Sequence, residues 1–175
     1  MIAKVNGFSL IGLEGVAIEV EVDINNGLPA FDVVGLADTA VKESKERVRS
    51  ALKNSGRNVP IKHITINLAP ADVKKEGSTL DLAIATVILL SSGQLEADVK
   101  DIFFLGELSL DGGLRRVNGV LPILISALSA GYKKFIIPKA NEVEASYVDG
   151  IEVYEFENLK QVIDHLSGLI VLSPI

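Results

Sequence analysis

Cysteine and tryptophan are both missing from this chain of 175 residues, and histidine occurs only twice. Without cysteine there is no disulfide, no thiolate metal site and no cysteine nucleophile. That suits a reducing compartment, and the expected location is the cytoplasm. The two histidines, His63 and His165, stand far apart in sequence and are read as structural. A histidine-rich metal site is not expected. No apolar stretch is long enough to span a bilayer: the most apolar run, Leu80 to Leu90, is short and carries Asp81. The first twenty residues show no basic start followed by an apolar core, so no signal peptide is expected. Aromatic residues make up only 5% of the chain, which argues against a base-stacking platform.

Apolar residues account for 48% of the sequence. A single domain of this length can bury about two-thirds of its unfolded surface without staples. The net charge is −6 but unevenly spread. Residues 1–37 carry one base and five acids, residues 38–62 seven bases and three acids, and residues 139–175 two bases and seven acids. An acidic chain with one basic segment is not a general nucleic-acid sponge, though it can present one basic face.

Between Gly15 and Asp23, Ile18, Val20 and Val22 alternate with acids, the pattern of a half-buried strand. A second short strand spans Phe31 to Val34. Asp38 can cap a long helix running to about Ser55, stopped by Gly56. On that helix Lys42, Lys45, Arg49 and Lys53 share one face, with Arg57 just beyond. Further strands are expected over Lys62–Leu68, Ile102–Ser109, Lys134–Ile137 and Ile151–Tyr154. Helices are expected over Thr79–Ser91, Gly119–Ala130 and Leu159–Leu166, with one or two helical turns over Glu142–Tyr147. The Thr79–Ser91 segment is apolar nearly all round and reads as a buried helix. The loop Ala69–Ser78 carries Lys74 and Lys75, both expected in solvent.

No Gly-x-Gly occurs in the chain, nor a Gly-x4-Gly-Lys-Ser/Thr loop, nor Gly-x-Ser-x-Gly. The dinucleotide fingerprint, the P-loop and the esterase elbow are therefore all missing. Two segments do carry a signature. ITINLAPADVKKEGSTLDLAIA (Ile64 to Ala85) and LGELSLDGGLRRVNGVLP (Leu105 to Pro122) resemble the proteolytic domain of Lon and the Lon-like domain of the recombination protein RadA. With GLPAFDVVGLADTAVKESKERVRSALKNSG (Gly27 to Gly56), the chain resembles the N-terminal domain of the ComM/YifB family, AAA+ proteins also labelled magnesium-chelatase-like. The resemblance implies an α/β (α+β) fold of the Lon-C type, shared with a ribosomal-protein domain: a mixed sheet with helices packed on one side. It implies a Lon-like domain over residues 1–168. Residues 169–175 would start a linker to an AAA+ ATPase domain lying outside this chain. ATP and magnesium would bind there, with no cofactor in the chain itself. It also implies hexamers acting on branched DNA in natural transformation.

Lon chemistry needs a serine nucleophile and a lysine base within hydrogen-bond reach. The resemblance puts the nucleophile position at Thr79, with Ser78 beside it, and the lysine position at Leu121. No lysine lies between Lys100 and Lys133, so the dyad is broken. Ser78 and Thr79 are expected to cap the buried helix instead. The carboxylates Asp72, Asp81, Glu107 and Asp111 have no spacing that makes them converge. Asp81 is expected to face the helix N-terminus, where the dipole favours it. The candidates for DNA contact are Lys42, Lys45, Arg49, Lys53 and Arg57, with Arg115 and Arg116 as a second small basic spot. The resemblance implies a non-catalytic accessory domain of the ATPase that meets substrate or partner and helps assemble the ring; the alternatives are a stand-alone DNA-contacting module through the 38–55 helix and a degenerate Lon-type cleft near Ser78, Thr79 and Leu121 that binds a peptide.

Overall fold

The computed structural model describes residues 2–168 and 174. Nine strands and six α-helices follow in order: β1 (Ile2–Ile11), β2 (Glu14–Asn25), β3 (Ala30–Val34), α1 (Thr39–Lys42), α2 (Ser44–Asn54), β4 (His63–Ala69), α3 (Asp81–Ser91), β5 (Ile102–Phe104), β6 (Glu107–Leu108), β7 (Leu114–Arg115), α4 (Val120–Ser129), β8 (Lys134–Pro138), α5 (Glu142–Ala145), β9 (Glu152–Phe156) and α6 (Leu159–Leu166). Seven strands form one sheet in the order β3-β4-β2-β1-β5-β8-β9, and β6 and β7 pair separately. The β1–β2 and β2–β4 pairs are antiparallel. The other four pairs, β3–β4, β1–β5, β5–β8 and β8–β9, are parallel. The mixed α/β sheet agrees with the Lon-type expectation.

The helices, however, cover both faces. Strand side chains alternate between faces, and so do the buried clusters. Val20, Val22, Ile64, Ile66, Phe104 and Ile136 join the helices α2, α3 and α6 in one core. Phe8, Phe103, Phe135, Ile137 and Val153 join α4 and Ala145 of α5 in another. The expectation of helices on one side is therefore corrected: β1, β5, β8 and β9 are apolar on both faces and need cover on both. The second face is only partly covered. Over β2 and β4 it carries Glu19, Glu21 and Asn67, joined by the Asn67 amide bond to Glu21 (3.0 Å). Gly15 explains how closely α4 approaches, since a Cβ there would sit 2.9 Å from the Ile123 Cα.

Every residue of α3 except Leu90 is buried. It lies between the sheet and α2, touching β1, β2, β5 and α2, so it has no wet face. Thr86 tolerates this place because its hydroxyl donates to the Leu82 carbonyl, 2.8 Å away.

Two elements break where unbroken ones were expected. The helix from Asp38 is interrupted at Glu43. Asp38 does cap it, accepting from the Val41 amide at 2.8 Å. The Ala40 carbonyl, beside the break, accepts from Arg47 Nη2 at 2.8 Å. The strand expected over Ile102–Ser109 divides into β5 and β6. Gly106 leaves the sheet between them to bond the start of α3: its amide donates to the Thr79 carbonyl, and its own carbonyl accepts from the Leu82 amide (both 3.1 Å). The expected linker start at residues 169–175 lies outside the described residues apart from Pro174.

Candidate functional site

At the N-terminal end of α3 lie two of the three positions that the Lon resemblance singled out, Ser78 and Thr79. Leu80 occupies the cap position, and no side chain caps the helix. The capping role expected of Ser78 and Thr79 is therefore corrected. Ser78 Oγ instead donates to Glu107 Oε1, tying the loop to β6. Glu107 Oε2 lies 3.8 Å from Arg115 Nε. Thr79 contributes its backbone carbonyl to Gly106. Leu121, the expected lysine position, is the second residue of α4, which packs on the opposite face of the sheet from α3.

Asp81 is fully buried, and it does more than complement a helix dipole. Its carboxylate receives Arg47 Nε at 2.6 Å and Nη2 at 3.0 Å, and the Leu108 amide at 3.0 Å. This fork ties α2, α3 and β6 together. Burial pushes the carboxyl up to about 6, outweighing the opposing pull of Arg47 and of the Leu108 amide. The hydrogen bond that Arg47 donates to Asp81 raises the arginine further, against its own desolvation.

Lys75 was expected in solvent and is fully buried. Its ammonium donates to the carbonyls of Gly35 (2.7 Å) and Pro70. Its amide donates to the Leu36 carbonyl (2.9 Å) and its carbonyl accepts from the Asp38 amide (3.0 Å). The long side chain thus clamps the loop before α1 to the loop after β4, and desolvation lowers its pKa. Leu36 adopts a left-handed φ of 56° here. Gly35 is required beside it: φ is +109°, and a Cβ would sit 2.3 Å from the Leu68 carbonyl oxygen. The ammonium is spent on these carbonyls, and the hydroxyl of Ser78 on Glu107.

Asp81 and Glu107 lie near enough to each other to interact beside Arg47, but the four carboxylates do not all converge. Asp81 pairs with Arg47, and Asp111 accepts from the Gly113 amide (2.9 Å) inside its own turn. Asp72 lies near Lys75. Among the described residues no three acids or histidines lie close enough to share a metal ion.

The cationic stripe sits beside a sheet edge. Lys42 and Lys45 line a shallow groove with Phe31, Asp32, Val33 and Val34 of β3. The Arg49 guanidinium lies 5.9 Å from the centroid of the Phe31 ring. Among the described residues, no carboxylate lies within ion-pair distance of Lys42, Lys45, Arg49, Lys53 or Arg57, so Glu43 and Glu46 do not neutralise the stripe through ion pairs. Arg57 bonds the Gly56 carbonyl (3.4 Å). Arg115 and Arg116 differ, for each faces an acid: Glu107 and Glu144 respectively. Among the described residues β3 pairs only with β4. The Ala30 amide donates to the Lys62 carbonyl (3.3 Å), which fixes the phase of the parallel ladder. Phe31 and Val33 therefore turn their amides to the free edge.

Sequence reasoning missed Arg47, yet a signal was present. Ser44, Arg47, Val48, Ala51 and Ser55 follow helical spacing on one side, so Arg47 lies on the apolar side of the helix. A charge there needs a buried partner, and Asp81 in an otherwise apolar helix is the natural one.

A model for the family described as subunit ChlI of Mg-chelatase matches residues 20–141. The chain belongs to that family. It is similar to the competence protein ComM of Haemophilus influenzae, 43% identical over 159 residues, covering 90% of this chain and 31% of that protein. YifB of Escherichia coli is 45% identical over 159 residues, with the same coverage. An archaeal Lon protease from Thermococcus kodakarensis is more distant, 26% identical over 173 residues, covering 93% of this chain and 27% of that protein. The chain thus spans about a third of the length of the ComM and YifB relatives. The likeness to ComM and YifB is the one that the three sequence blocks imply.

Proposed function

We propose that this chain is a non-catalytic accessory domain of a ComM/YifB-type AAA+ ATPase, and that it holds the DNA backbone through α1 and α2. In this reading ATP and magnesium act on the AAA+ domain of the same polypeptide, the assembly is a hexamer, and the whole works in the cytoplasm. The observation that carries the DNA contact is the stripe of Lys42, Lys45, Arg49 and Lys53, which among the described residues has no ion-paired carboxylate. Cations left unpaired on one surface suit a repeating line of phosphates. The non-catalytic reading rests on Leu121 in the lysine position and on the engagement of Lys75 and Ser78 elsewhere.

The test is binding of fluorescent branched, duplex and single-stranded DNA at low and physiological salt. Wild type is expected to bind, and the charge-reversed K45E/R49E/K53E variant to lose at least tenfold in affinity. Equal binding by both would overturn the DNA role of the stripe. A model peptide hydrolysed by wild type and not by Thr79→Ala or Ser78→Ala would overturn the non-catalytic reading.

The free edge of β3 supports a second reading, in which an acidic, extended peptide adds a strand between the stripe cations. Retained peptide binding with no DNA binding at any salt would favour it.

A further inference from the structure

The partly covered face of the sheet holds a groove of about 780 Å³, opposite the face that carries α2. Its floor is aromatic. Tyr132 remains 36% exposed, and its ring lies 4.5 Å from the Phe103 ring and 6.0 Å from Phe8. Its rim is cationic: Lys100, Lys133 and Lys134 all line it and are exposed. Among the described residues none of the three has an ion pair. Glu19 and Asp101 also border the groove. Glu19 is engaged by Lys4 at 3.7 Å, which leaves the three lysines in excess.

We infer that this groove is a binding site for a nucleotide unit, with the base against Tyr132 and the phosphate among Lys100, Lys133 and Lys134. Although the low aromatic content argued against a base-stacking platform, the fold gathers Phe8, Phe103 and Tyr132 in one place, and an exposed aromatic ring anchored from beneath offers a flat surface that accepts any base. The adjacent ammonium groups supply the complementary charge for phosphate. The volume falls within the range of small-ligand sites, room enough for one unstacked nucleotide. This site goes beyond the stripe on α1 and α2 and stands or falls separately from it. The nucleotide has two possible sources, a free mononucleotide or one residue of a single strand.

The experiment uses this chain with ¹³C-labelled tyrosine, thymidine 5′-monophosphate, and a fluorescein-labelled thymidine octamer. NMR follows the Tyr132 ring while anisotropy follows the octamer. The expected result is a Tyr132 ring shift on addition of ligand, with octamer affinity falling at least tenfold in Y132A and in K133E/K134E. Y132F should retain binding. A ring shift with the octamer alone identifies a strand as the source; the same shift with the monophosphate identifies a free nucleotide. K133E/K134E changes only exposed residues, so its result stands even if Y132A loosens the aromatic floor. No Tyr132 shift with either ligand at low salt overturns the site. So does octamer binding that K45E/R49E abolishes and K133E/K134E leaves intact.

Discussion

Arg47 and Asp81 meet in a place where neither could stay alone. Removing the guanidinium in R47M leaves a buried carboxylate with only the Leu108 amide. A loss of about 3 kcal/mol or more is expected in urea unfolding. The pair also carries a pH signature. Burial holds the Asp81 carboxyl at about 6 in the folded chain against an ordinary value of 3.8. Between those values the folded state holds the proton and the unfolded state does not. This group therefore adds stability below about pH 4 and loses that contribution as pH rises through about 6. The stability of wild type relative to D81N should grow on going from pH 7 to pH 4.5, by at most about 3 kcal/mol. A difference that shrinks on acidification would mean that the carboxylate is held low by Arg47 instead. Lys75 gives a third residue-scale expectation. In K75M the Gly35 and Pro70 carbonyls lose their donor, which should cost about 2–4 kcal/mol in the same assay.

At the scale of elements, the periodic segments were legible and the junctions were not. The alternation over Ile18–Val22 and the helical spacing over Leu159–Leu166 depend on local contacts with one buried side, and both elements formed where expected. The all-apolar α3 was legible as buried because a helix without a polar face has nowhere else to go. What escaped depended on distant partners. The break at Glu43 accompanies a guanidinium bond to Ala40, and the end of β5 accompanies the Gly106 bonds to the start of α3. Ser78 was readable as a polar residue before a helix, but its acceptor, Glu107, lies 29 residues further on. Lys75 read as solvated because loop lysines usually are; only the meeting of two loops creates its carbonyl cage. The same meeting makes Gly35 indispensable. Gly35→Ala should lower stability by more than about 2 kcal/mol, since its Cβ would collide with the Leu68 carbonyl. An unchanged unfolding midpoint would show that β3 can move away from β4 at little cost.

At the scale of the molecule, the sheet separates two kinds of surface. One side carries the ion-paired junction of α2, α3 and β6, which fixes the outer layer to the core. The stripe lies on that outer layer, along the free edge of the sheet. This division lets α2 present cations outward while Arg47, on its inner side, anchors it. Among the described residues no helix is long and apolar enough to cross a membrane. The family and the mixed sheet could be recognised from three sequence blocks. The contrast between the unpaired stripe and the paired Arg115 and Arg116 needed coordinates, because all are simply basic residues in sequence.

The salt dependence of duplex binding tests the DNA contact most directly. If Lys42, Lys45, Arg49 and Lys53 each meet a phosphate, log affinity against log salt should fall with a slope of about −3 to −4. Neutralising three of them in K42Q/K45Q/K53Q should flatten that slope by about 2–3. A slope unchanged by those substitutions, or no binding at low salt, would contradict the role assigned to this face and leave contact with a protein partner as the function to pursue.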